Sequence, residues 1–379
     1  MSPNNTLQKS AYFTSILWAI LLFAACSKED DNSRQEITAI QPSFEVVGVD
    51  LEATYQYNYD GTTEMGTVFN LTDEIGVPSE FLTIRQVGSV ISFYSFAFGD
   101  FSLYQKDVVT GATNSFPSFY TNTPQRSIVW GTNNEEAVFF GFYNPQGTRN
   151  LAVRKLTLGD LEGADLPLEF NIDALYQPLY ADGRLFITYR SNDLQYKIAV
   201  YDTDNGVLIS TLNYGTASPS LLIDENGNLA VLRFSDESVT ILERRDIDDL
   251  TVIEEIPLVF EQTLPTGPIN GNLIGAEFYY EYEYQQPFEL INGPAVFNID
   301  TGENFILDVA GIKNRLENEQ GISIYIIASQ YDETADVFLV SYGKFNTTQT
   351  LEGGVLAISK NGELLANAEV PFIPVYFIK

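Results

Sequence analysis

Any chemistry in this chain is done without histidine. The 379 residues contain no His and one Cys, against 51 Asp plus Glu and 20 Lys plus Arg. The lone thiol, Cys26, can be a core residue, a nucleophile, a metal ligand or an acylation site. As a nucleophile it lacks an imidazole base, and as a metal ligand it lacks co-ligands. Its neighbours decide the rest. The run 11–25, "AYFTSILWAILLFAA", holds no charge and no proline, and ends on Ala24 and Ala25 directly before the cysteine. It has the length of a secretory h-region and falls short of the roughly 20 residues that a membrane span needs. Acylation of Cys26 is the expected chemistry.

Carboxylates, tyrosines, lysines and arginines can also catalyse, but among 51 acids some pair lies close by chance. No catalytic residue is assigned. The loop "DTDNG" offers Asp202, Asp204 and Asn205 as oxygen ligands, yet no Glu stands where a Ca²⁺ loop would close. It is expected to be a hairpin turn, with neither metal nor cofactor. In "EFYYEYEYQQPF", a strand sends Phe278, Tyr280, Tyr282 and Tyr284 to one side and Glu277, Tyr279, Glu281 and Glu283 to the other. Such aromatics are core material, unless Tyr280, Tyr282 and Tyr284 stand exposed as a ladder for sugar or peptide contact.

The sequence ending Ala24, Ala25, Cys26 resembles the lipobox of bacterial lipoproteins, in which the Cys is lipidated and becomes the first mature residue. Behind it, "SKEDDNS" carries Lys28, Glu29, Asp30 and Asp31. This resembles the signal with which Bacteroidota send lipoproteins to the outer face of the outer membrane. The resemblance implies a signal peptide over 1–25, an acylated acidic tether over 26–39, and an outer-membrane anchor facing the cell exterior, with the periplasmic face as the alternative. Several acyl chains on one Cys exceed what stable anchoring requires, since each buried CH₂ contributes about 0.8 kcal/mol.

Removing residues 1–25 takes away only Lys9 and deepens the formal charge from −31 to −32. Such a surface repels nucleic acid and anionic lipid, which excludes a nucleic-acid partner. With 45% hydrophobic and 13% aromatic residues, the chain still has ample material for a core.

The elements that position these groups are strands. Alternating aromatic and β-branched runs such as "SVISFYSFAF", "RLFITYRS" and "VFLVSYGKF" recur, separated by Asp-Gly and Asn-Gly turns. One pattern returns: an apolar strand, a polar step, then a turn closing on Gly111, Gly206, Gly302 and Gly362. The first three glycines lie 95 and 96 residues apart, twice about 48, and weaker copies end at Gly159 and Leu250. The last interval is 60, and its surplus coincides with residues 310–321. That segment is expected to be a short helix inserted between repeats, tolerant of shortening.

Units of 40–50 residues with about four short strands resemble the propeller repeats of the WD, YVTN and quinoprotein-like classes. The resemblance implies an all-β fold over 40–379: a β-propeller of seven blades, each of four antiparallel strands, closed by the C-terminal strand 373–379 pairing with the N-terminal blade. One blade is expected to comprise strands 219–223, 228–235, 238–245 and 251–259. Fold does not fix function. The leading reading is a lipid-anchored, non-enzymatic binding or scaffold module for a protein or glycan partner at the outer membrane. The alternative is a surface glycan hydrolase or lyase using carboxylate, Tyr or Arg groups in the propeller funnel.

Overall fold

The computed structural model describes residues 41–121, 127–134, 136–143, 152–159, 163–169, 172–234, 239–345 and 351–379. Cys26 and the expected signal residues Lys28, Glu29, Asp30 and Asp31 lie outside the described residues. Seven sheets follow one another as the blades of a β-propeller. Blade two is typical: Thr83–Val87, Val90–Ala97, Asp100–Asp107 and Thr113–Thr121 meander in order, each antiparallel to the next. In blade five the strands are Pro219–Ile223, Leu229–Phe234, Thr240–Arg245 and Val252–Leu258, within two residues of the expected bounds.

The sequence repeat is the turn between the third and fourth strands. In blade two, Asp107 Oδ1 accepts the N–H groups of Val109 (2.9 Å) and Thr110 (3.2 Å), and Gly111, at φ +73°, donates to the Asp107 carbonyl (2.8 Å). Asp202 before Gly206, Asp246 before Leu250 and Asn298 before Gly302 cap their turns in the same way. A short acceptor side chain and a residue at positive φ suffice to reverse the chain, so this turn is a local property of the sequence.

Leu250 is the exception, adopting φ +62° without being glycine. Its side chain is 6% exposed and packs among Phe186, Ile198 and Val231. Left-handed backbone costs a non-glycine residue about 1–2 kcal/mol, whereas emptying a buried leucine site costs about 2–5 kcal/mol. Burial wins. Leu250→Gly, although it restores the repeat's glycine, is expected to destabilise the protein by ~1–3 kcal/mol and lower its melting temperature. A higher melting temperature would show that strain dominates.

The core is divided. Among the described residues seven apolar clusters occur, one at each interface between neighbouring blades. Strand alternation produces them: in Arg184–Ser191 of blade four, Leu185 and Ile187 face blade three while Phe186 faces blade five. Both faces of every blade are therefore apolar, and only the hairpin tips, channel and outer strands are left to water.

The ring closes as expected. Ile373–Ile378 pairs antiparallel with Phe44–Val49 and supplies the inner strand of blade one. The helix Val309–Gln320 stands between blades six and seven, with Asp308 accepting the Gly311 N–H (2.8 Å) at its start and Gly321 at φ +68° at its end. The expectation that this segment is dispensable is corrected here. Val309, Ala310, Ile312 and Leu316 are buried in the cluster joining those two blades, so the segment is core, not a surface loop.

Candidate functional site

Propellers concentrate ligands where the inner strands meet. Among the described residues three large concavities form, of which one, about 810 Å³ and lined by Glu45, Asp60 and Asp332 beside Lys379, has its acids engaged by Asn58 and by turn N–H groups. Of the other two, the first is the channel. Arg85, on the inner strand of blade two, reaches past blade three and donates from Nη2 to Gln177 Oε1 of blade four (2.6 Å). Its Nη1 serves the Ile84 carbonyl (2.7 Å) and the Thr83 hydroxyl. No carboxylate lies within ion-pair distance of it among the described residues, and burial draws its pKa below the ordinary arginine value. A cation is thus held in the lumen by neutral oxygens alone.

The adjacent Gln86 fastens the closing strand: its Nε2 donates to a main-chain oxygen of Lys379 (2.6 Å), and the Lys379 N–H returns to Gln86 Oε1 (2.9 Å). Beside it opens a cavity of about 430 Å³, lined by Gln86, Asn270, Ser329, Gln330, Tyr376 and Lys379 among others, none of them acidic. Lys379 is exposed to the channel but ringed by protein, and this desolvation lowers its pKa. The channel offers amides, hydroxyls and positive charge.

The second concavity is a cleft of about 720 Å³ between blade six, the inner strand of blade seven and the helix Val309–Gln320. Three carboxylates and one lysine line it: Glu281, Glu289, Glu317 and Lys313. Lys313 Nζ binds both Glu289 (2.5 Å) and Glu317 (2.9 Å). Hydrogen bonding from Lys313 holds the Glu289 carboxyl below its ordinary value. Glu317 is also held low: burial opposes this, but the Ile324 N–H and Lys313 outweigh it. Glu281 differs. Its described partner is the Ser329 hydroxyl at 3.5 Å, and burial pushes its pKa up.

Other charges are engaged between blades. Glu243 accepts from Arg245 Nε (2.5 Å) and the Tyr214 hydroxyl (2.7 Å), with Arg233 Nη2 at 3.5 Å. Lys360 bridges Glu277 of blade six (3.3 Å) and Asp336 of blade seven (3.0 Å). These groups hold blades together.

Of the aromatic residues singled out in the sequence, Tyr280 is buried with Phe260, Phe278 and Phe297 between blades five and six, its hydroxyl on Asn304 (3.0 Å). An exposed ladder through Tyr280 does not form, and that reading is corrected. Tyr282 is half-buried against the same cluster. Tyr284 lies beyond the strand Glu277–Glu283 and packs on the opposite cluster, stacked on Phe288 with ring centroids 4.3 Å apart. It escapes the alternation because the strand has already ended. Asp202 spends Oδ1 on the N–H groups of Asp204 and Asn205 (3.0 Å each), as a hairpin turn does. Among the described residues no three Asp or Glu converge as a metal site requires.

Arg85, Gln86, Gln177 and Glu281 carry the two sites, and sequence reasoning did not select them. Arg85 and Gln86 stand in "TIRQV", an unremarkable strand, and Glu281 was visible only as an acid flanking tyrosines.

The sequence matches no protein-family model and no curated protein. In structure the chain is similar to a 6-phosphogluconolactonase-like protein of Bacteroides fragilis, with a TM-score of 0.51, 14% identity and coverage of 89% of this chain and 98% of that one. It is also similar to puromycin hydrolase, with a TM-score of 0.50, 8% identity and coverage of 90% of this chain and 55% of that one. At these identities the likeness shows the propeller fold alone.

Proposed function

We propose that the chain is a lipid-anchored binding propeller of the bacterial outer membrane, which holds a protein or glycan partner at its surface without acting chemically on it. One observation carries this reading: the carboxylates that line the described concavities are held by protein donors, save Glu281. The channel cavity has no Asp or Glu; in the cleft Glu289 and Glu317 are both bound by Lys313; and in the third concavity Glu45 accepts from Asn58 while Asp60 and Asp332 cap their own turns. Glycoside hydrolysis ordinarily takes an acid and a second carboxylate at a set separation. The amides and cations of the channel suit recognition instead. The anchor is supported by Ala24 and Ala25 before Cys26 and by the acidic tether that follows.

The test uses cells expressing the full chain and grown with a palmitate analogue. Label is expected on the wild type and not on Cys26→Ala. Replacing Lys28, Glu29, Asp30 and Asp31 together with Ala is expected to keep the label and reduce cleavage by protease added to whole cells. Labelled Cys26→Ala overturns the anchor, and unchanged cleavage makes the tether a plain linker. The purified chain should release no new reducing ends from polysaccharides. Their release by the wild type, lost in Glu281→Gln, replaces binding with hydrolysis or elimination.

A further inference from the structure

We propose that the cleft between blades six and seven receives an extended, basic segment of a partner protein, with one lysine or arginine of that segment seated on Glu281. The inference rests on the binding reading above and commits it to a protein partner.

Charge comes first. Glu281, Glu289 and Glu317 face one lysine, and that lysine is satisfied by the latter two. Glu281 is half-buried with a hydroxyl at 3.5 Å and no cation within ion-pair distance among the described residues. A carboxylate withdrawn from water without a counter-charge is costly, and an arriving ammonium or guanidinium removes that cost. The site therefore selects cations, and rejects acids and neutral sugars less equipped to compensate it.

The walls then select what carries the cation. Ile291, Tyr325 and Ile327 line the cleft and are 71%, 53% and 42% exposed. Apolar walls around one carboxylate match the long aliphatic stem and charged head of Lys or Arg. A bare metal ion would leave these walls wet.

An open strand edge adds the third argument. The inner strand of blade seven, Ser323–Asp332, is ten residues long, whereas that of blade six, Gly271–Ile274, has four. Among the described residues Ser323–Asp332 is paired only with Val337–Phe345. At its start, Ile324 gives its N–H to Glu317 Oε1 (2.7 Å) rather than to another strand. An unpaired edge beside a pocket is the arrangement by which extended peptides add to a sheet, the main chain supplying affinity and the pocket specificity.

The experiment measures fluorescence anisotropy of a labelled peptide of alternating valine and lysine on the full chain, against a counterpart with glutamate for lysine. The lysine peptide is expected to bind and the glutamate peptide not. Glu281→Gln, which keeps the side-chain volume, should weaken binding about tenfold, equivalent to ~1.4 kcal/mol. Glu281→Asp should recover part of the loss. Ile327→Ser should weaken binding through the wall, without touching charge. Glu136→Gln, on an exposed turn of blade three, should change nothing. Equal loss in Glu136→Gln and Glu281→Gln, or none in either, means diffuse attraction to an acidic surface and overturns the cleft. No binding by the wild type overturns it as well. Neither result touches the binding reading, which falls on the release of reducing ends.

Discussion

A chain lacking residues 373–379 is expected to aggregate on expression or to melt far below the full-length protein. Ile373–Ile378 pairs along Phe44–Val49, with Val46 opposite Phe377 and Val47 opposite Tyr376. Phe377 is buried at the interface of blades seven and one. Val375, Tyr376 and Ile378 pack on the cluster joining blades one and two. Deletion thus opens the seam of the ring on both sides and uncovers the sheet edge of Phe44–Val49. Fully burying one such side chain contributes about 1.5–3 kcal/mol. Four of them, even at partial burial, approach the ~5–15 kcal/mol by which a domain is stable. The neighbouring joint is tight: a Cβ on Gly48 would lie 2.1 Å from the Phe372 ring, which itself stacks on Tyr55 at 4.9 Å. Thermal denaturation and gel filtration of the truncated chain test this. A monodisperse protein with an unchanged melting temperature would mean that closure does not hold the ring.

Glu243→Ala is expected to be the most damaging single charge removal, at ~3–5 kcal/mol. The residue is 2% exposed and accepts from Arg245, Tyr214 and Arg233. Without it, two guanidinium groups and a phenol at the interface of blades four and five lose their common acceptor. Burial opposes ionisation of Glu243, but the hydrogen bonds from Arg245 and Tyr214 and the nearby positive charges outweigh it and hold the pKa below the ordinary 4.5. A folded-state pKa lower than the unfolded one means stability that is complete above the unfolded value and is lost as pH falls through the folded value. The difference in melting temperature between wild type and Glu243→Ala should hold from neutral pH down to about 5 and shrink below 4.5. A difference constant to pH 3 would show that the loss is one of packing, not of charge.

The same sign applies to the hairpin caps. Turn hydrogen bonds hold the Asp107 carboxyl at about 2, and backbone N–H groups hold Asp202 below its ordinary value. Acid therefore weakens the turns and the interface between blades four and five together.

Much of the architecture was legible because its causes are short-ranged. An Asp at the end of a strand bonds N–H groups two and three residues on, and a glycine four residues on takes the left-handed turn. Those features lie within one hairpin, so their recurrence about every 48 residues counted the blades and marked the helix Val309–Gln320 as extra. Alternation of apolar residues identified the strands for the same reason.

What lay beyond the hairpin had to wait for tertiary structure. Alternation told which residues share a face, but not what that face meets: Tyr280 enters a core, while Tyr284, four residues on, lies past the strand's end and packs the other way. Leu250 replaces a glycine because of side chains from another blade. Arg85 meets Gln177 across 92 residues of sequence, and Glu281 meets Ser329 across 48. By itself, the sequence determined hairpins, their repeat and therefore a closed ring, since hydrogen bonds over a few residues dictate these. Only the tertiary structure decided which acids are neutralised and which cation stands without one. Burial and pairing of a charge depend on residues that the ring brings together from different blades.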